Sequence, residues 1–152
     1  MVRRDSGAHV KAELDEATFQ ALTRLSEEGN NWFEEGKYPE ALEHYRRALQ
    51  MIPKPLEEWE ASTWVLAGIA DCLFLMRDYD QAAVYLEQVL GCPGAFGNEF
   101  IHLRIGQTAL ERGEEALAKE HLARAYMGGG QEIFEGEDPK YLHFLRRFMK
   151  GI

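Results

Sequence analysis

One pattern recurs three times along the chain: two small residues separated by a turn, each with large apolar residues three or four positions away. The pairs are Gly29 with Ala41, Ala70 with Ala82, and Gly106 with Ala118. A repeated unit of this size dictates architecture before any local propensity does. The small residues let two helices approach closely, and the large ones fill the space beside the crossing. Gly36 with Lys37 and Gly113 with Glu114 supply short turns, and Pro39 falls in the first turn of a second helix, where its missing N–H is harmless. No period-two run of β-branched residues occurs, so strands are not expected. The pattern predicts an all-α chain of stacked helix hairpins.

The first unit places Leu25, Gly29, Trp32, Gly36, Tyr38, Ala41, Tyr45, Ala48 and Pro53 at the spacing of a 34-residue helix–turn–helix unit and so resembles the tetratricopeptide repeat family, with Glu28 the one departure. The second unit aligns through Leu66, Ile69, Ala70, Leu73, Tyr79, Ala82, Leu86 and Val89, with Arg77 where the turn glycine normally sits. The third aligns through Ile105, Gly106, Ala109, Gly113, Ala118, Leu122 and Ala125, with His102 at a register position that expects a large apolar residue. The resemblance implies an α-solenoid of three hairpins in a single domain of 152 residues, with repeats at about 22–55, 63–96 and 99–132.

Equivalent positions step by 41 from Ala41 to Ala82 and by 36 from Ala82 to Ala118, so extra residues fall near KPLEEWE and in GCPGAFGN. The first predicts a helix that begins early, at Leu56 to Glu60, and projects beyond its neighbours. The second, rich in glycine, reads as a loop. Residues 11–21 read as an N-terminal helical extension running into the first repeat. Asp138 and Pro139 form an N-cap and first-turn pair for a C-terminal capping helix at about 139–150. A solenoid needs such a cap because its last repeat otherwise exposes an apolar face.

Acidic residues number 26 against 17 basic, a formal charge of −9, which repels phosphate backbones; nucleic acid is not an expected partner. Residues 56–98 carry seven carboxylates and one cation, Arg77, and so hold −6 of that charge. No stretch approaches a membrane span, and two cysteines make no disulfide scaffold; the reading is a reduced, cytoplasmic protein. Cys72 is expected to be a buried, inert thiol and Cys92 an exposed loop residue. The five histidines, His9, His44, His102, His121 and His143, have no metal-ligand spacing, and EGEDP lacks the alternating ligands of a calcium loop. No nucleophile, acid–base pair or phosphate-cradling loop is assembled, so neither an enzyme nor a cofactor is expected.

The resemblance implies a concave wall built by the first helix of each hairpin. Carried over by register, its partner-binding residues are Asn30, Phe33 and Glu34 in the first unit, Trp64, Asp71 and Phe74 in the second, and Phe100, Leu103, Gln107 and Glu111 in the third. That wall is apolar and acidic, with no lysine or arginine at the carried-over positions to grip an acidic tail. The expected function is non-enzymatic capture of a basic partner protein or peptide, foremost as an immunity protein neutralising a bacterial toxin. A secretion chaperone of the three-repeat type III class or a generic adaptor are the alternatives. The competing expectation is that the C-terminal helix fills the groove with Phe144, Leu145 or Phe148.

Overall fold

In the computed structural model, which describes residues 13–152, seven α-helices follow in chain order. They are α1 (Glu16–Glu34), α2 (Tyr38–Gln50), α3 (Glu60–Leu75), α4 (Tyr79–Leu90), α5 (Glu99–Glu111), α6 (Glu115–Gly129) and α7 (Pro139–Arg146). Two 3₁₀ turns intervene, Leu56–Glu58 before α3 and Gln131–Phe134 after α6, and no strand occurs among the described residues. Helix pairs α1/α2, α3/α4 and α5/α6 form antiparallel hairpins, and α2 packs against α3 to continue the stack. The architecture is the expected solenoid of helical hairpins.

Side-chain caps fix several starts. Asp15 accepts from the Thr18 amide at 3.0 Å, Asn98 from Phe100 and Ile101 at 2.9 and 3.2 Å, and Asp138 from Lys140 at 3.0 Å beside Pro139. Each satisfies helix N–H groups that have no intrahelical acceptor. Ala41, Ala70, Ala82 and Ala118 are fully buried at the hairpin crossings. At Gly106 a Cβ would lie 2.6 Å from Leu122 Cγ, so α5 and α6 touch through a position only glycine fits. Tyr45 of α2 occupies the equivalent space between α1 and α3, with its Cδ1–Cε1 edge against Gly29 and its Cδ2–Cε2 edge against Gly68. The turns after α1 and α5 use Gly36 and Gly113 at φ 77° and 78°, whereas the turn after α3 forces Arg77 to φ 64°.

The insertion before α3 does not extend that helix. Leu56–Glu58 form a separate 3₁₀ turn, and Trp59 is extended (φ −119°, ψ 132°) before α3 starts at Glu60. Burying Leu56 in the core turns the chain inward and costs the continuous helix that the local composition allowed. The N-terminal extension is shorter than read: α1 begins at Glu16, and residues 11 and 12 lie outside the described residues. At the other end α7 stops at Arg146 rather than reaching residue 150.

The loop GCPGAFGN is folded inward. Ala95 is fully buried, and Cys92 is 5% exposed, its thiol directed at the Gln88 carbonyl. The expectation of an exposed Cys92 is therefore wrong, because the loop closes over the end of α4. Burial pushes the Cys72 thiol up to about 12 and raises Cys92 as well, so both are held as neutral thiols. His102 is buried despite its register: its Nε2 lies 2.6 Å from the Phe96 carbonyl, and its Nδ1 lies 2.9 Å from His121 Nδ1 on α6. The carbonyl can only accept, so Nε2 of His102 carries a proton and donates to it. A polar residue thus replaces the usual apolar one by tying the loop to both helices of the third hairpin.

Candidate partner-binding groove

The first helices of the three hairpins face a common hollow of about 750 Å³. Its sides carry Asn30 and Phe33 from α1, Trp64 and Asp71 from α3, and Phe100 from the start of α5, so five of the ten wall residues read from the sequence meet here. Trp64 and Phe100 are the exposed apolar surfaces, at 42% and 66%. Asn30 is held from below by the Tyr45 hydroxyl, which donates to its Oδ1 at 2.5 Å. The Thr63 hydroxyl donates to the Pro93 carbonyl at 2.7 Å and fixes the loop that forms the groove's rim. Glu27 and Glu60 also line it, giving three carboxylates with Asp71. Glu34 is exposed at the end of α1 and does not line the hollow.

The other wall residues are used differently, and the single open hollow expected from the register is corrected to half of one. Phe74 is only 8% exposed and lies 6.4 Å, centroid to centroid, from Tyr141 of α7. Gln107 is fully buried and its amide donates to Glu137 at 2.6 Å. Glu111 accepts from the Tyr141 hydroxyl at 2.5 Å and pairs with Lys140 at 2.6 Å. Burial alone would raise the Glu111 carboxyl, but the Lys140 and Tyr141 hydrogen bonds overcome it and hold the group below its ordinary value. Leu103 is buried in the floor of a smaller hollow of about 400 Å³ beside Glu135 and Glu137. The tail residues seen against these wall positions are Glu137, Lys140 and Tyr141, while Phe144 and Leu145 are buried. Phe148 instead lies under Lys119 of α6, 4.7 Å from its ammonium.

Arg104 marks the boundary between the open and the plugged half, and register reasoning missed it because it falls between the carried-over positions. Its guanidinium lies over the Phe74 ring at 4.3 Å, donates to Asp71 at 2.8 Å and to Gln107 at 2.9 Å, and stands 3.8 Å from Glu137. Burial pushes the Asp71 carboxyl up and Arg104 pulls against it. With Asp71 and Glu137 both beside it, this one groove cation among the described residues is already neutralised.

Hairpins stacked around a partly open concave face define a helical-repeat interaction scaffold. Residues 25–92 match the family description Tetratricopeptide repeat, and the third hairpin continues the same stack beyond them. No curated protein sequence matches it. Among solved structures it is similar to the first tetratricopeptide domain of Spaghetti (RPAP3) bound to an HSP90 peptide: 19% identity over 84% of this chain and 92% of that one, TM-score 0.63. It is similar also to the Yersinia enterocolitica type III secretion chaperone SycD in complex with a peptide of the translocator YopD, at 18% identity over 88% and 95%, TM-score 0.66. A third is the C-terminal domain of a Plasmodium falciparum FK506-binding protein, at 21% identity over 89% and 90%, TM-score 0.69. Among the described residues no group of side chains has the makings of a metal site, and no helix is long and apolar enough to cross a membrane.

Proposed function

We propose that the open half of the groove captures an extended, cation-bearing segment of a partner protein. The observation that carries this reading is the placement of two exposed aromatic surfaces, Trp64 and Phe100, among the Glu27, Glu60 and Asp71 carboxylates. Aromatic anchors in a concave site supply affinity on desolvation, and the acidic field steers a basic partner and raises its on-rate. Among the described residues that line the groove an acidic ligand meets no free cation, since Arg104 is engaged by Asp71 and Glu137. Capture without chemistry is the role this assigns to the chain.

Within that reading the partner is a basic toxin that acts on nucleic acid, and the chain is its immunity protein; the charge of −6 between residues 56 and 98 supports this. A second reading, a secretion chaperone, is supported by the likeness to SycD holding a YopD peptide and by a similar likeness to PcrH with the chaperone-binding region of PopB.

Affinity capture from the cells of origin, with the whole chain as bait at low and high salt, tests the proposal. A partner of high isoelectric point that is retained at low salt and lost with Glu27→Lys/Glu60→Lys agrees with it. A partner held equally by that variant and in high salt contradicts the electrostatic part. Finding a toxin or a translocator in the captured fraction decides between the two roles.

A further inference from the structure

A second cleft, of about 800 Å³, opens where the start of α1 faces the 3₁₀ turn before α3. It adjoins the groove, because Glu60 and Pro93 line both. Phe19, half exposed at 49%, and Trp59 give it an aromatic floor, and Glu13, Glu16, Glu58 and Glu60 give it four carboxylates. No described cation pairs with any of these four. The Trp59 indole N–H has no acceptor among the described residues. The same insertion that interrupts the helix before α3 therefore builds this site, by leaving Trp59 extended at its edge.

Glu16 accepts from the Gln20 amide at 3.0 Å, but no described cation holds any of the four, and aromatic faces ringed by such carboxylates suit a planar cation, which stacks on the rings while its N–H groups are accepted by the carboxylates. A guanidinium satisfies both demands, whereas an ammonium is a compact point charge. We propose that this cleft is a second subsite that takes an arginine of the same partner segment whose apolar residue sits against Trp64 and Phe100. The inference rests on the groove reading above. Glu60 and Pro93 border both hollows, so one continuous extended segment can run from the cleft into the groove. The partner segment therefore presents an arginine within a few positions of a large apolar residue.

The test uses the full chain labelled with nitrogen-15 and a set of short synthetic glycine–serine peptides with one arginine and one leucine two to five positions apart. The indole N–H signals of Trp59 and Trp64 report the cleft and the groove separately, with Trp32 as reference. Both Trp59 and Trp64 are expected to shift. Glutamine in place of the peptide's arginine should abolish the Trp59 shift and preserve that of Trp64. Glu13→Gln/Glu16→Gln/Glu58→Gln should weaken binding about tenfold with Trp64 still responding. A shift at Trp64 alone overturns the cleft assignment and leaves the groove reading standing; no shift at either overturns both. If Arg3→Glu/Arg4→Glu/Lys11→Glu moves the Trp59 signal in the unliganded chain, the chain's own N-terminal residues fill the cleft and the proposal is wrong.

Discussion

The Gln107 amide donates to the Glu137 carboxylate at 2.6 Å, and that bond ties the wall of the third hairpin to the tail that follows it. Gln107 also accepts from Arg104, so removing its side chain leaves two charged partners beneath the tail without their shared hydrogen-bonding group. Gln107→Ala is expected to cost about 1–3 kcal/mol in urea unfolding. A change within about 0.5 kcal/mol, the size of an ordinary surface substitution, would mean that the tail is not anchored there.

The third hairpin depends on the closeness of α5 and α6. A Cβ at Gly106 would stand 2.6 Å from Leu122 Cγ and 2.9 Å from the Leu122 backbone nitrogen, so a rotamer change cannot relieve it. Gly106→Ala should destabilise by about 1–3 kcal/mol, measured as a lower denaturation midpoint with an unchanged slope. A neutral result would show that the two helices separate at no cost.

Arg77 holds a left-handed backbone at φ 64°, where its first- and third-hairpin counterparts Gly36 and Gly113 use glycine. A left-handed conformation costs a non-glycine residue about 1–2 kcal/mol, and glycine's larger loss of freedom on folding returns part of that. Arg77→Gly should therefore stabilise the protein by up to about 1 kcal/mol. Loss of stability would mean that the Arg77 side chain contributes more than its backbone costs.

Buried His121 makes stability depend on pH. Burial lowers His121 below the usual histidine range; His102 and Arg124 add to this and Glu120 opposes it. The unfolded chain then binds more protons than the folded one just below the ordinary histidine value of about 6.5, so stability falls as pH drops through that window and is restored above it. Thermal unfolding across this range should show the slope in the native sequence and a flatter profile in His121→Gln. Equal slopes would place the titration elsewhere.

Features set by neighbouring residues were legible in the sequence, and those set by distant ones were not. The small-residue pairs, the turn glycines and the Asp138–Pro139 start are local signals, and the helices follow them. The plug over Gln107 and Glu111 comes from residues 30 positions away in the tail, and Tyr141 against Phe74 comes from farther still, separations that no periodicity marks. KPLEEWE has helix-forming composition, yet burying Leu56 leaves Trp59 extended; Cys92 is covered because its loop turns Ala95 into the core. Arg104 enters the groove from between two carried-over wall positions, which is why register alone passed over it.

If the near half of the concave face binds the partner while the far half is structural, paired measurements of unfolding midpoint and partner dissociation constant separate the two roles. Trp64→Ala and Phe100→Ala should each cost less than about 1 kcal/mol of stability and raise the dissociation constant at least tenfold. Phe74→Ala should instead destabilise by about 3–5 kcal/mol. Unchanged partner affinity in the folded Trp64→Ala and Phe100→Ala variants would contradict the account.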